Sequence, residues 1–447
     1  MEKVKPRKNM PVVVLLSLGY FITILIGTIL LLMPFASKTG STPFIDALLT
    51  STSATCVTGL ASFDTFTHFT KFGQIVILCL IQIGGLGFMT IITLLFLIVK
   101  RNIGLYNRTV MMQSAGSYNI SSIPKLIRRI VIGTILFEGL GAFILYSVLK
   151  KDYGNDAIFL GIFHSISAFC NAGFDIFGTG SLTAFSSSPI VLLTIICLIV
   201  IGGSGFIVWS DIIDSRFKFS RYQLHTKIVL VVNIFLILVP AILFFIFEFT
   251  NVGLKSSYAD MPWEEKVINS LFLDVTPRTA GFYSIDMTRL SPSGKLLTDV
   301  LMLIGGNSGS TAGGVKVTTV VVAVATLAAS ARGKDDIVIF KRRVSNKIVK
   351  HSISLIIAYV SIILIATMII GSYEQYDVSD ILFEVISAIG TVGLSLGLTE
   401  NAMVITKVII IILMYIGRLG ALTLFDLLLR DKKNPVVSNP EGKVLVG

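Results

Sequence analysis

Four short stretches recur along this chain at nearly even spacing, and any fold it adopts has to place all four. They are Val57-Thr58-Gly59-Leu60, Asn171-Ala172-Gly173-Phe174, Thr279-Ala280-Gly281-Phe282 and Thr391-Val392-Gly393-Leu394. The glycines lie 114, 108 and 112 residues apart, so the 447 residues read as one unit of roughly 110 residues repeated four times. A second landmark keeps step with the first. Ile83-Gly84-Gly85-Leu86-Gly87, Ile201-Gly202-Gly203-Ser204-Gly205, Ile304-Gly305-Gly306 and Ile416-Gly417-Arg418-Leu419-Gly420 follow the four glycines at offsets of 25, 29, 24 and 24 residues. Ahead of them stand Ser53-Ala54, Ser167-Ala168, Val275-Thr276 and Ser387-Ala388.

Composition decides the solvent. With 53% hydrophobic residues, 14% charged residues and a mean hydropathy of +0.85, the chain carries too few charges for a soluble globule. Apolar runs of spanning length occur at 11–33, 74–99, 130–149, 189–209, 228–249, 293–329 with an interruption, 352–371 and 403–429. That is two per repeat. The first run lacks a small-residue cleavage site and reads as an anchor.

Charge gives the orientation. Residues 1–10 sum to +3, 100–129 to +6, 211–227 to +2, 331–350 to +5 and 430–447 to +2, within a net charge of +11. By the positive-inside rule these segments face the cytoplasm and both termini lie there. The glycine stretches then enter from outside, and nucleic-acid binding is an unnecessary reading of the basic pI. The expected units are a tail at 1–10, repeats at 11–101, 124–215, 224–331 and 348–430, and a tail at 431–447.

Each glycine stretch is preceded by a segment too short to cross a bilayer: 43–56 after Thr42-Pro43, one from Asp156, one from Pro262-Trp263, and one from about Ser379 to Ile389. These read as re-entrant helices. The fold class expected is an all-α membrane protein of four repeats, each a span, a pore helix and a span, with eight transmembrane helices around one pseudo-fourfold pore. In repeat three the second span breaks across Gly305-Gly306-Asn307-Ser308-Gly309-Ser310-Thr311-Ala312-Gly313-Gly314, which holds five glycines in ten residues. Non-helical backbone at membrane depth must be buried in protein or line a water-filled cavity. This segment is therefore expected on the same axis.

Such an axis favours a cation. Carbonyls of the four stretches can replace a hydration shell, glycine permits the positive φ that turns them inward, and the C-terminal ends of four short helices aim negative partial charge at the same place. Arg418 stands where the other copies have glycine; it can hold the broken segment by donating to its carbonyls, or pair with Glu138 or a helix end. Glu138, at membrane depth, should face protein. Asp274 and Arg278 are spaced for a helical pair. The four cysteines and four histidines match no redox or metal spacing.

These residues resemble the Trk/Ktr/HKT superfamily of potassium transporters over essentially the whole chain. The resemblance implies that Val57-Thr58-Gly59, Asn171-Ala172-Gly173, Thr279-Ala280-Gly281 and Thr391-Val392-Gly393 form a potassium selectivity filter, and that 305–314 is an intramembrane gating loop; Arg418, read from its place among the repeats, is then the charge expected below the filter. It further implies a homodimer in a bacterial cell membrane, in contact with lipid and a cytoplasmic RCK-type ring of nucleotide-binding regulatory subunits. Potassium would be substrate, with no cofactor on this chain and no enzymatic step. No second glycine follows at the Tyr-Gly spacing of potassium channels, so fewer carbonyl layers and imperfect rejection of sodium are expected. Two rival readings are a secondary transporter, whose usual inverted repeats this pattern lacks, and an intramembrane serine protease at Gly202-Gly203-Ser204-Gly205, which needs a base within hydrogen-bond reach, whereas His164 lies in an expected re-entrant helix and the serine position is Leu86 and Leu419 in other copies.

Overall fold

A computed structural model describes residues 12–87, 90, 123–178, 180–250 and 257–420. The two tails, the apolar end Val444-Leu445-Val446, residues 91–122 and residues 421–430 lie outside the described residues.

Each repeat opens on a long helix: α1 (Val12–Leu31), α4 (Ile123–Tyr153), α8 (Leu224–Phe249) and α12 (Asn346–Gly371). The runs Val14–Leu31, Pro124–Phe169, Leu224–Phe249 and Asn346–Gly371 are long and apolar enough to cross a membrane. A short helix follows in each: α2 (Phe44–Cys56), α5 (Ala157–Phe169), α9 (Trp263–Val275) and α13 (Val378–Gly390), all of 13 residues. At 1.5 Å per residue such a helix spans only about two-thirds of a bilayer core. It descends part way and stops.

The second apolar run of each repeat is not the continuous helix expected for repeats one, two and four. It is α3 (Lys71–Leu86), then α6 (Pro189–Gly203) with α7 (Phe206–Asp214), then α10 (Pro292–Leu303) with α11 (Val317–Ala331), and finally α14 (Val404–Leu419). The axes of α6 and α7 differ by 84°. The cause is the last glycine of the second landmark. Gly87, Gly205 and Gly420 share one backbone conformation, with φ/ψ of 82/132, 97/131 and 88/131. Only glycine enters it without a Cβ clash, and it ends the helix at the same place in three copies.

Order around the axis follows from the seams. A lysine near the start of one repeat's second run reaches an aspartate at the start of the next repeat's short helix: Lys71 to Asp156 at 2.7 Å, Lys295 to Asp380 at 3.1 Å, and Lys407 to Asp46 at 2.7 Å. The last joins repeat four back to repeat one. Each acid also sits at a helix N-terminus, where it complements the helix dipole. The seam between repeats two and three has no such pair, because residues 152–215 contain no Lys or Arg. There Asn269 Nδ2 donates to the Ser186 carbonyl at 3.0 Å and the Leu182 amide to Tyr283 at 3.0 Å.

Burial ranks these pairs. Lys407 and Asp46 are 12% and 7% exposed, whereas Lys71 and Asp156 are 72% and 67% exposed. Removing one partner of a buried pair strands a charge and costs about 3–5 kcal/mol; an exposed pair is worth under about 1 kcal/mol. Thermal unfolding in detergent should therefore show a large loss for Asp46→Ala and almost none for Lys71→Ala. Equal losses would mean that the seams are not what burial makes them.

Candidate functional site

The four glycine stretches close on one another. A Cβ placed on Gly59 would lie 2.7 Å from the Ala172 carbonyl oxygen, one on Gly173 would lie 2.8 Å from that of Ala280, one on Gly281 would strike that of Val392, and one on Gly393 would strike that of Thr58. Each glycine thus abuts the carbonyl just before the glycine of the next repeat, and the fourth meets the first. Their φ values are 103, 69, 77 and 95. Two residues earlier, Val57, Asn171, Thr279 and Thr391 are also left-handed, with φ of 59, 60, 71 and 52. Three of these are β-branched, for which that conformation is a genuine outlier. Strain of this kind persists only where surrounding structure imposes it.

The imposing groups are the short helices. The amides of Thr58, Ala172 and Val392 return to the carbonyls of Ser53, Ser167 and Ser387 at 2.8 Å in each case. The same serines use their hydroxyls. Ser53 Oγ accepts from the Gly59 amide at 2.9 Å, Ser387 Oγ accepts from Gly393 at 3.1 Å, and Ser167 Oγ donates to the Phe174 carbonyl at 2.6 Å. In repeat three Thr276 takes this part and donates to the Phe282 carbonyl. The hydroxyl position was visible in the sequence as a recurrence, yet its bracing role was not assigned.

A second brace lies nine residues before the glycine. His164 Nε2 accepts from the Ile176 amide at 3.2 Å, and Glu384 accepts from the Thr399 amide at 2.9 Å and from Ser395 Oγ at 2.7 Å. The residue types differ, so sequence comparison of the repeats did not reveal it. His164 is thereby committed, and Ser204 Oγ receives the Trp209 indole N–H at 2.7 Å while donating to Ile201. Neither is therefore free for the other, as the serine-protease reading requires.

The two landmarks keep step for a packing reason. A Cβ on Gly84, Gly202 or Gly417 would strike the carbonyl oxygen of Thr55, Phe169 or Ile389, in each case the residue four before that repeat's glycine. Only a bare backbone lets the second run approach the end of the short helix so closely.

Above the ring opens a cavity of about 360 Å³ lined by all four glycines and by Asp64, Asp175, Asp286 and Glu400, one acid from each repeat. Burial, with Asp64 beside it, pushes the Asp175 carboxyl up to about 7. Among the described residues no group of acids, cysteines and histidines is arranged to hold a metal ion.

Below the ring lies the segment 305–314, held by three repeats. From repeat two, Gly203 accepts from the Asn307 amide at 3.2 Å and from its Nδ2 at 2.8 Å, while Phe206 donates to the Gly309 carbonyl at 2.8 Å. From repeat four, Arg418 donates to the Thr311 carbonyl and, with its other nitrogen, to the Gly84 carbonyl of repeat one. Within repeat three, Lys316 Nζ donates to Ala312 at 2.6 Å and Gly313 at 3.0 Å, and Ser310 Oγ donates to Asn307 at 2.7 Å. Ser308 Oγ meets Thr318 Oγ1 at 3.2 Å. Gly306 leaves no room for a side chain beside Ala312, and Gly313 none beside Thr391. Gly314, at φ 63, packs on Gly390, and Gly305 faces Gly313. Asn307 and Thr311 are fully buried. The segment touches the glycine stretches directly: Thr311 Oγ1 lies 3.5 Å from the side-chain amide of Asn171, which in turn lies 3.3 Å from Thr279 Oγ1.

Of the neighbouring expectations, the first alternative for Arg418 holds and the Asp274–Arg278 pair does not. Arg418 is committed to carbonyls and does not pair with Glu138, which meets Gln82 at 3.4 Å and Cys170 at 3.9 Å. Asp274 and Arg278 form no ion pair among the described residues. Helix α9 ends at Val275, so their helical spacing lapses, and Arg278 donates to Asn233 on α8 instead. Lys316 was not anticipated; only its place at the end of the glycine run marked it.

Comparison with known proteins agrees with this architecture. Residues 19–437 match the family model described as TrkH, cation transport protein. The chain is 40% identical to the potassium/sodium uptake protein NtpJ of Enterococcus hirae, over 100% of this chain and 99% of that one. It is 38% identical to the Ktr system potassium uptake protein B of Bacillus subtilis, over 97% and 96%. The crystal structure of the potassium transporter TrkH from Vibrio parahaemolyticus superposes with a TM-score of 0.74 at 17% identity, covering 96% of this chain and 86% of that one. The chain therefore belongs to the TrkH family of cation transport proteins and is a transporter, not an enzyme.

Proposed function

We propose that this chain takes potassium into the cell through the four-glycine ring, with 305–314 as an intramembrane gate. The observation that carries the reading is ring closure: four glycines, each against the preceding carbonyl of the next repeat, with all four bordering an acidic cavity. Carbonyls so placed replace a hydration shell for a cation, and the four short helices end on the same point. The second runs of the repeats, though broken, complete the crossings begun by the long helices, for eight in all. The driving force is the membrane potential, about 2.3 kcal/mol per charge per 100 mV.

One glycine per repeat gives a short filter, so sodium is rejected incompletely; the naming of one relative for potassium and sodium fits this. Arg418 latches the gate by tying Thr311 to Gly84. The likeness to a Ktr system protein supports a partner subunit; on this reading the partner is cytoplasmic, binds nucleotide and releases the gate, and the chain is a homodimer in the bacterial cell membrane, its basic segments keeping both termini cytoplasmic. The test is potassium uptake by starved cells lacking their own systems, supplied with this chain and a Ktr regulatory subunit. Gly281→Ser should lower the preference for potassium over sodium. Unchanged preference would place selection elsewhere.

A further inference from the structure

On the side opposite the acidic cavity, two tips share an unusual build. Between α7 and α8, Arg216 and Phe217 are both left-handed, with φ of 50 and 59. The Phe217 amide donates to Ile212 at 3.1 Å and the Lys218 amide to Ser215 at 3.1 Å, so the turn is fixed. Phe217 is 78% exposed, and Phe219 beside it 47%. Between α11 and α12, strands β1 (Val338–Ile339) and β2 (Arg342–Arg343) pair antiparallel around Phe340-Lys341. These two are left-handed as well, with φ of 46 and 61. Such a two-residue turn ordinarily takes Asn-Gly. Here it shows Phe340 and Val338, 45% and 60% exposed, among basic residues.

Two tips therefore hold a phenylalanine and a cation in a backbone conformation that bulky side chains avoid, and strain of this kind points to a use. Neither can travel far from the membrane. Phe217 follows the end of α7 by three residues, and the hairpin base is packed on α11 through Val322, Ile337 and Val344. Segment 331–350 carries a charge of +5 and 211–227 a charge of +2. An aromatic ring flanked by cations at the level of a basic membrane face matches one surface, the headgroup layer of an anionic leaflet.

We propose that the Arg216-Phe217-Lys218 turn and the Phe340-Lys341 hairpin tip bind anionic phospholipid of the cytoplasmic leaflet. The two tips bracket repeat three, the one that carries 305–314, so lipid charge would grip both ends of the gated quarter. The proposal rests on the orientation given above, with the basic loops cytoplasmic.

The test uses the full chain, purified and reconstituted in phosphatidylcholine vesicles with and without phosphatidylglycerol. Phe217→Trp and Phe340→Trp are compared with the unaltered chain, whose Trp209 and Trp263 supply the background. Brominated lipid should quench the added emission about twofold when phosphatidylglycerol is present and much less without it. Removing a single charge by Lys218→Gln or Lys341→Gln should weaken the lipid association about fivefold. Added emission that stays water-like and unquenched in both vesicles overturns the proposal. So does shielding that appears only when a cytoplasmic protein is added, which would assign the tips to a protein partner. Because quenching is independent of flux, a failure here leaves the transport reading standing, and failure of transport leaves this test readable.

Discussion

Gly393→Ala is expected to lower cation flux at least about tenfold while leaving the chain folded. Gly393 has φ 95, and a Cβ there meets the Thr58 carbonyl oxygen, with the Cα of Gly59 only 2.9 Å away. Both the backbone conformation and the space are therefore denied to alanine. Holding a non-glycine residue in such a region costs on the order of 1–3 kcal/mol. Turning the Thr58 carbonyl aside would also remove one of the groups that replace the ion's hydration shell. Gly40→Ala separates the two effects. Gly40 has φ 78 but nothing within 4 Å of a new Cβ, so it carries the conformational strain without touching the ring. Flux of a labelled cation into vesicles should fall for Gly393→Ala and stay near wild type for Gly40→Ala. Equal effects would mean that general instability, not ring geometry, sets the rate.

Arg418→Gln should act in the opposite direction and raise flux in the absence of any partner. Arg418 donates to the carbonyls of Thr311 and Gly84, so it joins the segment beneath the ring to a helix of another repeat. Hydrogen bonds to charged groups are worth about 1.5–3 kcal/mol each, enough for one bond to shift a two-state gate by roughly ten- to a hundredfold. Removing the positive charge also lifts a repulsion on cations passing below the ring. Deletion of 306–313 should raise flux further, since on the proposed reading it removes the gate itself and not only the bond that holds it. Rubidium entry into vesicles holding the purified chain measures both. A fall in flux from protein that still unfolds cooperatively would make Arg418 part of the pathway's wall, not its closure.

The legible part of the fold was the part in which side chains were forbidden. Glycines at 59, 173, 281 and 393 stand in register because the ring admits no Cβ, and those at 84, 202 and 417 because the short helices end against them. A constraint repeated four times in one chain shows without any relative for comparison. What could not be read was where the backbone left its regular path. A glycine in an apolar run looks the same whether the helix continues, as at Gly84, or ends, as at Gly87. Val57 and Thr391 are β-branched and gave no sign of a left-handed conformation, which the serine braces impose from outside. The lysine–aspartate seams escaped notice because their partners lie 85, 85 and 361 residues apart. Asp274 and Arg278 misled for a related reason: spacing implied a pair, but the helix that would have aligned them ends between the two.

The most direct measurement is the flux of potassium, rubidium and sodium through the purified chain, in vesicles holding an inside-negative potential, with 306–313 deleted so that no partner is required. Potassium and rubidium should enter faster than sodium, entry should stop when the potential is collapsed, and Gly281→Ser should bring the three rates together. Entry that ignores both the potential and the glycine would contradict conduction through the four-glycine ring.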